Sequence, residues 1–73
     1  MNRADAIRAI RPRVVQRGES WFAVSPDEAA LRVGVEGPSE DAARRGFERE
    51  LEAWAALREA CDRDRKALRV PTT

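Results

Sequence analysis

The stretch RVVQRGESWFAVSPDEAALRVGVEGPSEDAARRGFERELEAW, Arg13 to Trp54, decides the fold. Val14 and Val15 open a β-branched segment, and Trp21-Phe22-Ala23-Val24 forms a second apolar run. Between them lies Gln16-Arg17-Gly18-Glu19-Ser20, which is polar and contains a glycine. Two short apolar runs joined in this way predict a β-hairpin. Strand alternation then sets Trp21 and Ala23 on one face and Phe22 and Val24 on the other. Further on, Leu31, Val33 and Val35 alternate with Arg32, Gly34 and Glu36. That period of two predicts a third strand. Ser25-Pro26-Asp27-Glu28 has the chemistry of a helix start, with a capping serine, proline at the first position and Glu28 completing a capping box. A turn, with room for at most one helical turn through Ala30, is therefore expected before the third strand.

Past Gly37, Ser39 is a good N-cap, and Glu40 and Asp41 place negative charge where the helix dipole favours it. A helix is predicted from Glu40 to Arg65. Ala43, Phe47, Leu51, Trp54, Arg58 and Cys61 advance by three or four and form one stripe, widened by Leu57 and Ala60. Arg45, Glu48, Glu52, Glu59 and Arg63 lie opposite. Arg44 with Glu48, Glu59 with Arg63 and Asp62 with Lys66 are expected ion pairs along the helix. Toward the N-terminus, Ala6, Ile7 and Ile10 suit a short helix that Pro12 ends near Ile10, with an extended arm as the alternative. Toward the C-terminus, Ala67 to Pro71 suits a short fourth strand closed by Pro71.

The expected class is α+β. A three-stranded antiparallel sheet is covered by one long amphipathic helix in the order β-β-β-α, with the fourth strand and the N-terminal helix as optional additions. Residues 1–73 form a single domain, with a basic arm or short helix over 1–12 and the core over 13–71. An all-helical arrangement conflicts with Gly18, with Trp21-Phe22 and with the alternation from Leu31 to Val35. The expected core is Trp21, Ala23, Val33, Val35, Phe47, Leu51 and Trp54.

A chain of 73 residues buries a small fraction of its surface and is marginal alone. One helix over a three-stranded sheet also leaves a sheet face and a strand edge open, so a homodimer is expected, with strand pairing or sheet-face packing at its centre. Cys61 is the only cysteine, and its place on the apolar stripe predicts a buried small hydrophobe. Sparse cysteine, no secretory pattern at Met1 to Ile10 and no long apolar run point to a cytoplasmic protein with no membrane partner.

The chemistry on offer is thin. There is no histidine and no tyrosine, so the usual neutral-pH general base is missing. No residues have metal-ligand spacing, and there is no Gly-rich phosphate loop. Glu48 and Glu52 share a helix face, and this pattern is read as a solvated surface. Trp21 and Trp54 are read as core residues rather than as a platform for bases. The sequence thus offers no catalytic residue, no metal ligand and no cofactor site, and predicts a non-enzyme.

Fourteen basic and thirteen acidic residues nearly cancel, where a dedicated nucleic-acid module usually shows a basic excess. The balance is uneven, however: Arg3, Arg8, Arg11, Arg13 and Arg17 precede Glu19 against one acid, Asp5. Arg11, Arg13 and Arg17, with Phe22 and Val24, are the candidate partner-binding residues. Arg3 and Arg8 are candidates for nucleic-acid contact, the less favoured alternative.

Taken together, VVQRGESWFAVSPD, LRVGVEG and PSEDAARRGFERELEAW resemble the HicB-type antitoxin domain. The likeness runs from Arg13 to Pro71. It includes the step from Gly37 through Ser39 to Ala43, and Trp54 late in the helix. EAALRVG lacks the Pro-Gly that the family usually has after Pro-Asp. The resemblance implies a minimal member without a DNA-binding segment, acting as an interaction protein that masks a small basic RNA-cleaving toxin.

Overall fold

A computed structural model describes residues 2–67. The elements are α1 (Arg3–Arg8), β1 (Arg13–Arg17), β2 (Ser20–Val24), β3 (Gly34–Gly37) and α2 (Glu40–Ala67). The strands form one antiparallel sheet in the order β1-β2-β3. The α+β arrangement is as expected, and the N-terminal helix is present. Of the predicted fourth strand, Ala67 ends α2 and the remaining residues lie outside those described.

Arg17 faces Ser20 across β1 and β2, so Gly18 and Glu19 alone make the turn. Gly18 has φ +60°, and Glu19 does not share that sign. This is the sign pattern of a type II′ turn, whose twist matches that of the flanking strands. Glycine is needed there because an L side chain at that φ meets its own carbonyl.

Local capping sets both helix starts. The Asn2 side chain accepts the Asp5 N–H at 2.8 Å and opens α1. Ser39 Oγ accepts the Ala42 N–H at 3.1 Å and opens α2. Ser25 behaves differently from expectation. Its Oγ accepts the Val33 N–H at 2.8 Å, and its own N–H donates to the Val33 carbonyl at 2.9 Å. The hydroxyl that was to cap a helical turn instead closes the loop from residue 26 to residue 32. Between these ends only a turn forms, with the Ala29 N–H on the Pro26 carbonyl at 3.0 Å. The third strand consequently starts at Gly34 rather than Leu31. Leu31 still packs on the core, from the loop.

The core lies between the sheet and α2. Ala23, Ala43, Phe47 and Leu51 are its buried centre, with Ile7, Ile10, Val14, Trp21, Leu31, Val33 and Val35 packed around them. Two expectations are corrected here. Trp54 is 43% exposed, and Cys61 is exposed. The buried line on α2 runs Ala43, Phe47, Leu51, Ala55, in steps of four. Steps of four drift around a helix of 3.6 residues per turn. The line therefore leaves the Trp54–Cys61 side and reaches the side where α1 docks.

The surface ion pairs also differ from expectation. Arg44 turns back to Glu40 at 2.9 Å and Arg45 to Asp41 at 3.0 Å, both toward the acidic first turn. Glu59 binds Arg8 of α1. Asp62 lies 3.6 Å from Arg58, and the side chain of Lys66, its expected partner, lies outside those described.

Candidate interaction surface

Strand register places the candidate residues. Val14, Ala23 and Val35 form one cross-strand row, and Ala23 is fully buried. That row faces α2, so the neighbouring rows face away from it. One of these is Val15, Phe22 and Glu36, and the next is Arg13, Val24 and Gly34, with Arg17 opposite Ser20 beyond. Gly34 bears this out, since a Cβ there would meet Val24 Cγ1 at 3.7 Å. Arg13, Arg17, Phe22 and Val24 are thus brought together on the open face. Val15 joins them, 41% exposed, with Glu36 at the far side. Sequence alone did not single out Val15 or Glu36. The two-residue turn at Gly18-Glu19 was the signal that fixes Val15 opposite Phe22.

The other candidates lie elsewhere. Arg11 sits in the α1–β1 connection, beside a recess formed with Pro12, Glu48 and Leu51. Arg3 is exposed on α1. Arg8 is engaged. Its Nε donates to Glu52 Oε2 at 2.9 Å, while its Nη2 donates to Glu52 Oε1 at 2.9 Å and to Glu59 Oε1 at 2.7 Å. This fork clamps α1 to α2. The hydrogen bonds from Arg8 hold the Glu52 and Glu59 carboxyls below their ordinary value. In return, the hydrogen bonds to Glu52, then to Glu59, raise the Arg8 guanidinium further above its already high value.

A second feature is a cleft of about 660 Å³ between α1, the loop after β2 and α2. Ile7, Ile10, Ala29 and Leu31 line it, with Arg3 and Arg58 among its walls. The Arg58 Nε is buried there without a hydrogen bond; the 3.6 Å to Asp62 is an ion-pair distance and too long for more.

Among the described residues no group of His, Cys, Asp and Glu is placed to hold a metal ion, and no helix is long and apolar enough to cross a membrane. No protein-family model matches the chain, and comparison with curated proteins and with solved structures finds no match.

Proposed function

We propose that the protein is a small non-catalytic interaction module, antitoxin-like, that works by covering a surface of a protein partner with the open face of its sheet. The observation that carries this reading is the apolar group Val15, Phe22 and Val24 on a sheet face that no other described element covers, rimmed by Arg13 and Arg17. Apolar surface left open in this way usually marks association. The HicB-like pattern of turns and caps supports a toxin-masking role, with a small RNA-cleaving protein as the partner. In the free protein the same face suits a two-fold homodimer packed sheet to sheet, which the partner displaces.

The test is affinity purification from the native host with wild-type protein and with Phe22→Asp, followed by mass spectrometry and sedimentation of both forms. A small protein retained by the wild type and lost by the variant, whose toxicity on expression is relieved by the wild type, supports the reading. A partner retained equally by both removes this face from the account. The nucleic-acid reading gains little support from Arg8, whose Nε and Nη2 are already on Glu52 and Glu59. A gel shift at low salt, abolished by Arg3→Glu, would revive it.

A further inference from the structure

Among the described residues, strand β1 is an edge strand, bonded on one side to β2, and α1 does not lie against it. The ladder shows which of its main-chain groups are free. Ser25 donates its N–H to Val33, on the β3 side. Trp21 and Ala23, four and two residues before it, therefore also turn their main chain toward β3, while Phe22 and Val24 turn theirs toward β1. Their opposites Val15 and Arg13, and Arg17 beside the turn, are spent on β2. Val14 and Gln16 are left with N–H and C=O directed outward. Pro12, the next outward position, has no N–H to offer, and the turn at Gly18 closes the other end.

The side chains beside this edge are Arg13, Val15 and Arg17, all exposed on the open face. A second copy pairing antiparallel about Val15 would set Arg13 of one copy against Arg17 of the other, at both ends of the contact. Like charges directly opposite are destabilising, and charged edge residues are a common device against self-pairing. The β3 edge fits no better. Glu36 stands there between Gly34, Val35 and Gly37, with no apolar side chain on the open face to meet Val15.

We propose that the β1 edge takes an extended segment of a protein partner as an added antiparallel strand, with acidic residues opposite Arg13 and Arg17 and an apolar residue between them opposite Val15. The added strand bonds to the main chain of Val14 and Gln16. Its outward side chains fall in the closely spaced pairs of the new ladder, where cross-strand contacts are shortest. Strand addition of this kind draws affinity from the main chain and specificity from alternate side chains. The proposal rests on the protein-binding role above and specifies the local chemistry of the partner, an acidic–x–apolar–x–acidic run, independent of the partner's overall charge.

The probe is a serine-flanked peptide of sequence Glu-Thr-Val-Thr-Glu, with lysine in place of both glutamates as the control. Amide exchange and chemical shifts of the full chain are followed during titration. The glutamate peptide should bind saturably, slow exchange at the Val14 and Gln16 amides and leave the Glu36 amide unchanged. Arg13→Glu with Arg17→Glu should weaken the glutamate peptide by about tenfold and favour the lysine peptide, since charge-assisted pairs are what differ. Both positions are exposed, and circular dichroism checks that the variant keeps its fold. No binding by the glutamate peptide, equal binding to the charge-reversed variant, or protection at Glu36 instead of Val14 overturns the proposal. A cellular partner that Phe22→Asp loses and the charge-reversed variant keeps would overturn the edge proposal while leaving the sheet-face role standing.

Discussion

Gly46 on α2 lies directly beneath Val35 of β3: a Cβ at position 46 would stand 2.5 Å from Val35 Cγ1. The helix approaches the sheet this closely because position 46 has no side chain. Gly46→Ala gains about 1 kcal/mol of helix propensity, yet the overlap forces the helix off β3, and overpacking costs about 1–3 kcal/mol. The net expectation is a destabilised protein. In the Val35→Ala background the overlap is relieved, and the same substitution should stabilise. Denaturant melts of the four-member cycle check this; additive effects of the two substitutions would show that the contact does not limit the approach.

Leu51 sits in the buried centre and Trp54 outside it. Leu51→Ala should cost about 2–5 kcal/mol, the range for truncating a buried leucine. In a domain this small that is enough to unfold much of the population. Trp54→Ala should cost less than Leu51→Ala, although the tryptophan is the larger side chain. Urea titrations of both variants rank them, and the reverse order would mean that the buried line on α2 runs through Trp54.

The Arg8 fork makes the docking of α1 sensitive to acid. Glu52 and Glu59 are held below their ordinary value in the folded protein, so the unfolded chain takes up their protons first as the pH falls. Their contribution is fully present above the ordinary glutamate range, about pH 4.3. It is lost as the pH drops through the lowered values. Arg8→Gln should therefore melt earlier than wild type at pH 7, with the gap closing as the pH falls below the ordinary glutamate range. The effect is modest, because all three side chains face solvent. A gap that persists unchanged in acid would assign the loss to packing of the Arg8 stem rather than to charge.

Cys61 is exposed on α2, so a thiol reagent should label it in the native protein at nearly the rate found in denaturant. Protection that disappears on dilution would place this part of α2 in a contact between copies.

Sequence by itself determined the sheet–helix order, the hairpin, the two-faced β2 and the start of α2. Each rests on local physics: strand alternation, a glycine able to take φ +60° at position 18, and a serine able to cap at position 39. The shared face of Phe22 and Val24 was legible for the same reason, whereas Arg13 and Arg17 stood out only as part of a basic run, and the β1–β2 register puts them on that face. Three features were decided by tertiary structure. The Ser25 hydroxyl had two uses of similar local quality, a helix cap and a bond to Val33, and the loop that brings Val33 back to it decided between them. The stripe on α2 had two nearly equivalent continuations past Leu51, toward Trp54 and toward Ala55, because residues 54 and 55 both follow Leu51 by about one turn. The docking of α1, held by Arg8 on Glu52 and Glu59 from more than forty residues away in sequence, goes with burial of Ala55 and leaves Trp54 and Cys61 in solvent. The outer edge of β1 is likewise a property of the assembled sheet, since which main-chain groups point outward depends on the pairing that Gly18 and Glu19 set.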